Sequence, residues 1–315
     1  MAEVWIMGEL LVEIMRPEAG VDMDVTGVFQ GPYPSGAPAI CADTVARLGH
    51  SVALVGGVGR DGFGKCLLNR LRKDGVDCRY VQESQNLSTG VAFVTYFADG
   101  SRSYIFHMGN SAAVQAKAPE ADQLGEVKYL HIMGCSLMAE PAFAREILAL
   151  ADRVLSQGGK ISFDPNIRRE LMGDPQVLDT VRGVLKKTSV FLPGREELLL
   201  LTGETCLEEA VKSCFVNPSL ELLALKRGSQ GSTVYTRQGS CSMGVYPVEA
   251  VDATGAGDSY DGAFLCGLLE GRPLREVLEM AAAAGALNTA AFGPMEGKIS
   301  PETIREMREK GKVRE

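Results

Sequence analysis

Asp252-Ala253-Thr254-Gly255-Ala256-Gly257-Asp258 runs without a break into Ser259, Tyr260 and an apolar helical stretch that reaches residue 270. The small residues 255–257 let backbone N–H groups close on an oxyanion, and the helix that follows adds the positive end of its dipole. Asp258, fixed at that helix start, can take a proton from a substrate hydroxyl while the neighbouring N–H groups stabilise charge on a transferring phosphoryl group. A carboxylate here is also an ordinary helix N-cap, so the turn alone leaves both readings of Asp258 open.

Outward from this turn, strand-length apolar runs alternate with helix-length amphipathic stretches. Strands are expected at 4–7, 52–55, 128–133, 160–163, 190–192 and 222–226, and helices at 39–48, 64–74, 142–157, 177–187, 259–270 and 274–292. β-α alternation with strands apolar on both faces predicts an α/β fold, a mostly parallel central sheet covered by helices on both sides. Two stretches break the pattern. Residues 11–33 are rich in Gly and Pro, and in 89–106 Val91, Phe93, Thr95 and Phe97 alternate before Asp99-Gly100-Ser101, a turn suited to a β-hairpin. Together they predict a small β-lid over one sheet edge. No repeat, low-complexity tract or linker divides the chain, so residues 1–315 read as one domain.

The formal net charge of -8 leaves no basic footprint for nucleic acid, and no Lys/Arg run marks a membrane surface. The first residues, Met1 to Gly8, have no basic n-region and too short an apolar run for a signal peptide or a membrane span. Eight cysteines without a CxxC pair suit reduced thiols in a cytoplasmic protein. His50, His107 and His131 have no metal-ligand partner at i+3 or i+4, which argues against a zinc hydrolase.

Two glycine patterns earlier in the chain are decoys. Gly57-Val58-Gly59-Arg60-Asp61-Gly62 satisfies G-x-G-x-x-G, yet no acidic residue stands at the end of a following strand to hold a ribose. The stretch 59–66 resembles a P-loop but ends in Cys66, whose thiol cannot replace the Mg²⁺-binding hydroxyl.

With its signature at 252–260, the chain resembles the ribokinase-like, or PfkB, carbohydrate kinases nearly end to end. Gly8-Glu9-Leu10-Leu11-Val12-Glu13 is similar to that family's first strand and its exit, and Ser35-Gly36-Ala37-Pro38-Ala39 to its sugar-binding turn. Asp61-Gly62-Phe63-Gly64 matches its G-x-D-x-x-G segment, Asp164-Pro165-Asn166-Ile167-Arg168 its D-P-N-x-R strand end, and Lys226-Arg227-Gly228-Ser229-Gln230-Gly231 its nucleotide-binding turn. The resemblance implies ATP-dependent phosphorylation of a sugar hydroxyl with Mg²⁺. Asp258 would be the base, Gly255, Ala256 and Gly257 the anion hole, and Arg168 the cation opposite. The sugar would touch Glu13, Gly36, Ala37, Phe106, Arg168 and Asp258. ATP would lie over Lys226, Gly228, Gly231, Gly255 and Gly257, with its base near Ala284 and Asn288. Glu197 would serve the Mg²⁺ shell indirectly, and Asp252 and Thr254, with the Gly293 region, a K⁺ site.

The chain also departs from the family pattern. Ile40 replaces the Asn that commonly follows G-A-P-A, and Gly194 replaces the Asn of N-x-x-E. Related 2-keto-3-deoxygluconate kinases tend to carry a Tyr-Arg pair on the lid strand, where this chain has Met108 near the Arg position, which favours a neutral sugar. The run Gly31 to Ile40 looks like the tagatose-kinase-like branch, so a ketohexose such as tagatose or fructose is the first expectation and the keto-sugar acid the alternative. His107 is a second candidate for meeting a carboxylate, against the plainer reading of a packed strand residue. Readings from other classes are a sugar- and nucleotide-binding protein without turnover on a kinase fold, and a dinucleotide oxidoreductase, which titration with NADH would reveal. Exposed strand edges of the lid predict a lid-to-lid homodimer.

Overall fold

The computed structural model describes residues 2–97, 101–173, 175–311 and 313–314. Thirteen strands are formed among them: β1 Val4–Met7, β2 Leu11–Met15, β3 Gln30–Ser35, β4 Val52–Gly59, β5 Val81–Ser84, β6 Gly90–Tyr96, β7 Arg102–His107, β8 Tyr129–Met133, β9 Lys160–Asp164, β10 Val190–Phe191, β11 Leu222–Lys226, β12 Ser232–Tyr235 and β13 Ser240–Met243. The α-helices are α1 Ala37–Arg47, α2 Gly62–Lys73, α3 Ala121–Leu124, α4 Gly134–Ala139, α5 Pro141–Ser156, α6 Pro175–Leu185, α7 Arg195–Thr202, α8 Leu207–Cys214, α9 Ala256–Leu269, α10 Leu274–Thr289 and α11 Pro301–Lys310.

Nine strands form one sheet in the order β13-β12-β11-β10-β9-β8-β1-β4-β5. Pairing is parallel from β11 through β5 and antiparallel only for β11–β12 and β12–β13. β1 shows why the strands read as unbroken apolar runs. Val4 and Ile6 enter a core with α1, α9 and α10, while Trp5 and Met7 enter a second core on the other face with α5, so both faces exclude water and polar alternation disappears. The hairpin β12–β13 escapes a periodicity reading because Ser232–Tyr235 and Ser240–Met243 mix Ser, Thr and Cys with few aliphatic residues.

The remaining strands form a separate lid sheet ordered β3-β2-β6-β7. β6 and β7 are antiparallel, from Val91 opposite His107 to Tyr96 opposite Arg102. Asp99 and Gly100 of the expected hairpin turn lie outside the described residues.

Two helix bounds differ from expectation for local reasons. α9 starts at Ala256 instead of 259, because Gly255 takes φ +77° and turns the chain straight into the helix. α10 stops at Thr289 instead of 292, where the N–H groups of Val251 and Asp252 donate to the Thr289 carbonyl and cap the helix end. The early glycine decoy is a packing device. Asp61 caps α2 by accepting from the N–H groups of Phe63 and Gly64, and a side chain at Gly57 would collide with the Ala112 backbone. Among the described residues no helix is long and apolar enough to cross a membrane.

Candidate active site

Strand order reverses at β1, whose neighbours β8 and β4 lie on opposite sides of it. In open α/β sheets that switch point, at the carboxyl ends of the strands, opens a crevice. Here the crevice becomes a cavity of about 220 Å³ roofed by the lid, lined by Glu9 after β1, Cys135 after β8, Asp164, Asn166 and Arg168 at the end of β9, Lys226 on β11, and Gly255, Gly257 and Asp258.

Asp258 is buried in the first turn of α9. Burial raises its pKa, Asp164 adds to the rise, and Arg168, Lys226 and Arg102 work against it. The N–H groups of Gly255, Gly257 and Asp258 have no acceptor among the described residues, whereas that of Ala256 donates to the Ala253 carbonyl at 3.3 Å. Of the turn's N–H groups, those of Gly255, Gly257 and Asp258 are left for an anion, while that of Ala256, expected to share in the hole, is engaged by the turn bond. Gly255 must be glycine, because a side chain there would meet the Pro294 carbonyl and φ is left-handed.

Arg168 lines the cavity with its guanidinium 5.9 Å from the Tyr104 ring centre and makes no hydrogen bond among the described residues. Lys226 is different. Its Nζ donates to Asp164 Oδ2 at 2.8 Å and to both Asp261 carboxylate oxygens at 3.1 and 3.2 Å. Burial works against its charge, but Asp164 and Asp261 outweigh it and raise the pKa. Lys226 faces the cavity as expected, yet as the counter-charge of two buried carboxylates.

The lid strand β7 presents Arg102, Tyr104 and Phe106 to the cavity, with Met108 just beyond it, and turns Ser103, Ile105 and His107 the other way. That period-2 alternation turns His107 away from the cavity, exposed and edge-on to Phe93 at 6.0 Å. Glu13 is buried on β2, with Oε1 accepting from Ser35 Oγ at 2.7 Å and Oε2 unpartnered. Burial pushes its carboxyl up to about 7. Gly36 and Ala37 line the cavity with it, and Ile40 supplies an apolar wall where a polar contact was missing from the sequence pattern.

Several nucleotide and metal assignments change. Ala284 and Asn288 have no exposed surface; Asn288 Nδ2 instead holds the Thr254 carbonyl at 2.7 Å from behind, so neither side chain can touch an adenine. Gly231 is buried at the turn into β12, where a side chain would strike the Met243 carbonyl, while Gly228 is exposed two residues past Lys226. Glu197 accepts from Gly194 N at 2.7 Å and Ile167 N at 2.8 Å, which fits an indirect place in a cation shell. No cluster of three metal-ligating side chains occurs among the described residues. Asp252 accepts from Thr254 N, Thr254 Oγ1 and Gly293 N. A carboxylate has about four acceptor sites, so these three bonds leave Asp252 room for a cation beside Thr254 and Gly293.

The sequence reading missed Glu9, Arg102, Asp164 and Asn166, all of which line the cavity. Glu9 and Asn166 stood at strand exits, the place where α/β sheets bind ligands, and that position was their signal. Arg102 was legible only through its spacing of two from Tyr104.

Residues 1–301 match the profile of the pfkB family carbohydrate kinases. A fructokinase from Solanum tuberosum is 32% identical over 296 residues, covering 91% of this chain and 89% of its own. A provisionally assigned ribokinase II from E. coli, solved with ATP and Mg²⁺, superposes with a TM-score of 0.92 at 37% identity, covering 98% of this chain and 100% of that one. A fructokinase double mutant from Vibrio cholerae O395 with fructose, ADP and potassium bound gives 0.83 at 25% identity, covering 97% and 98%.

Proposed function

This chain belongs to the pfkB family of carbohydrate kinases, ATP-dependent enzymes acting on a sugar hydroxyl, and we propose that its acceptor is a ketohexose, fructose or tagatose first. The observation that carries the site assignment is the buried Asp258 carboxylate beside three N–H groups with no acceptor among the described residues. ATP supplies the phosphoryl group, and Mg²⁺ travelling with it offsets the phosphate charge. Asp258 accepts the proton of the attacking hydroxyl, and its raised pKa brings it toward neutral working pH. The N–H groups of Gly255, Gly257 and Asp258 take up charge on the transferring group, and Arg168 offsets the same charge from the opposite wall. Glu13 Oε2, buried without a partner, accepts from a second sugar hydroxyl, with Gly36, Ala37 and Phe106 shaping the pocket around it.

Phosphorylation of fructose, tagatose, psicose, ribose and 2-keto-3-deoxygluconate, followed by ADP release in the wild type and Asp258→Asn, tests both parts. Loss of turnover in Asp258→Asn with a ketohexose preference is expected. Most of the wild-type kcat surviving in Asp258→Asn would sink the base assignment, and activity confined to the sugar acid would overturn the acceptor. That second acceptor has an observation in its favour, since Arg102 supplies a lid cation that Met108 does not. Nucleotide binding without turnover on any sugar would instead support a binding protein.

A cytoplasmic location is supported by eight unpaired thiols. Potassium activation through Asp252, Thr254 and the Gly293 region is proposed as secondary, and equal rates with and without K⁺ count against it. A lid-to-lid homodimer is supported by the exposed Ile105 on β7 and by Val25 and Val28 in the lid loop; a monomeric light-scattering peak at working concentration would refute it.

A further inference from the structure

Asn166 is the one non-glycine among the described residues with a left-handed backbone, at φ +40°. Asparagine tolerates that conformation better than most residues, which accounts for an Asn in the turn after β9 but not for what its side chain does. The side chain is buried, and its Nδ2 donates to Asp258 Oδ1 at 3.0 Å and lies 3.5 Å from Asp164 Oδ2. Both neighbours are carboxylates that can only accept, so the amide orientation is fixed with its NH₂ toward them. Its own Oδ1 is buried without a partner.

Stability alone disfavours this arrangement twice, through a strained backbone and through a buried acceptor left unpaired. A glycine would relieve both. The Gly134 backbone packs so closely on the Pro165 carbonyl that a side chain at 134 would collide, which holds the turn in place. The turn ends at the cavity, beside the base.

We propose that Asn166 is a positioning residue for Asp258: its amide anchors Oδ1, leaving Oδ2 as the oxygen that receives the hydroxyl proton. This rests on Asp258 being the base. A hydrogen bond to the charged form of a carboxylate also lowers its pKa, so Asn166 opposes the rise that burial imposes. The other groups around Asp258 are Asp164, Arg168 and Lys226, Arg102 and Tyr104 on β7, Cys41 on α1 and Cys135 on α4. All remain when Asn166 is changed.

The test is Asn166→Gly in the full chain, with Asn166→Asp as a second variant that keeps the side-chain shape but places a carboxylate beside Asp258. Three readouts are needed: thermal stability, the pH profile of kcat, and the titration of ¹³Cγ-labelled aspartate in the ligand-free protein. Asn166→Gly exchanges backbone strain for an unpaired Asp258 Oδ1 and should stay folded, lose at least about tenfold in kcat, and shift the acid limb and the Asp258 titration upward by about half to one pH unit. Asn166→Asp should shift both further. An unchanged titration and acid limb in Asn166→Gly overturns the proposal, whatever its stability. Should the wild type phosphorylate no ketohexose, the acceptor assignment fails, while the ligand-free titration still decides the role of Asn166.

Discussion

Arg102 Nη1 on lid strand β7 donates to Thr254 Oγ1 at 3.0 Å, and Tyr96 OH on β6 lies 3.2 Å from the same oxygen. Lid and anion turn therefore share one hydroxyl, which also donates to Asp252 Oδ1 at 2.7 Å. Closure of the roof and shape of the turn are coupled at that atom.

Arg102→Ala should loosen the roof without unfolding the protein. We expect kcat/KM for the sugar to fall roughly 5- to 50-fold, about 1–2 kcal/mol, from the loss of a charge-assisted hydrogen bond. Steady-state kinetics check this, with thermal melting as the control; an unchanged kcat/KM would show that the contact does no more than close the empty site.

The two glycines of the anion turn should separate stability from activity. Gly257 sits in the first turn of α9 and is exposed to the cavity, where an added side-chain carbon would find only Lys226 Nζ, 3.8 Å away. Gly257→Ala should fold at least as well, gaining up to about 1 kcal/mol of helix propensity, yet lose about 100-fold in kcat by filling the anion site. Gly255→Ala should lose stability first, by about 1–3 kcal/mol, from its left-handed φ and the Pro294 carbonyl. Melting and turnover measured on both variants should rank them in opposite orders.

Lys226→Met leaves Asp164 and Asp261 buried without their shared cation. Breaking such a pair by removing one partner costs about 3–5 kcal/mol, read as a fall in the denaturant midpoint. Asp261→Asn added to Lys226→Met should recover part of that loss, since it removes one of the stranded charges.

Glu13 makes stability depend on pH. Its carboxyl is raised from the ordinary glutamate value to about 7, chiefly by burial. The folded state binds its proton more tightly than the unfolded state, so its contribution is fully present below about pH 4.5 and is lost as pH rises through 7. Relative to Glu13→Gln, the wild type should lose about 3 kcal/mol across that window and stay level above it. Denaturation at several pH values gives the difference. Sugar binding near pH 6.5 should release a proton from Glu13, seen as a buffer-dependent heat in calorimetry.

Much of the fold was readable because strands such as β1, β4 and β8 are apolar on both faces and the helices between them are amphipathic. The hairpin β12–β13 was not, since an edge built from Ser, Thr and Cys has no strong period. In the site, glycine-rich geometry exposed the anion turn, because Gly255 and Gly257 are local requirements. The engagement of Lys226 by Asp164 and Asp261 was hidden, since those residues lie 62 and 35 positions away. Burial hid the fate of Asn288: a helical asparagine looks equally suited to an adenine or to a carbonyl, and only the packing of α10 behind Thr254 decides between them.

The lid takes its strands from residues 11–35 and 90–107, and the hydroxyl on which it closes belongs to residue 254. A growing chain on the ribosome thus makes the roof well before the floor exists. Until residue 254 has left the exit tunnel, β6 and β7 have no Thr254 to rest on. The lid strands are thus made about 150 residues before the hydroxyl that latches them.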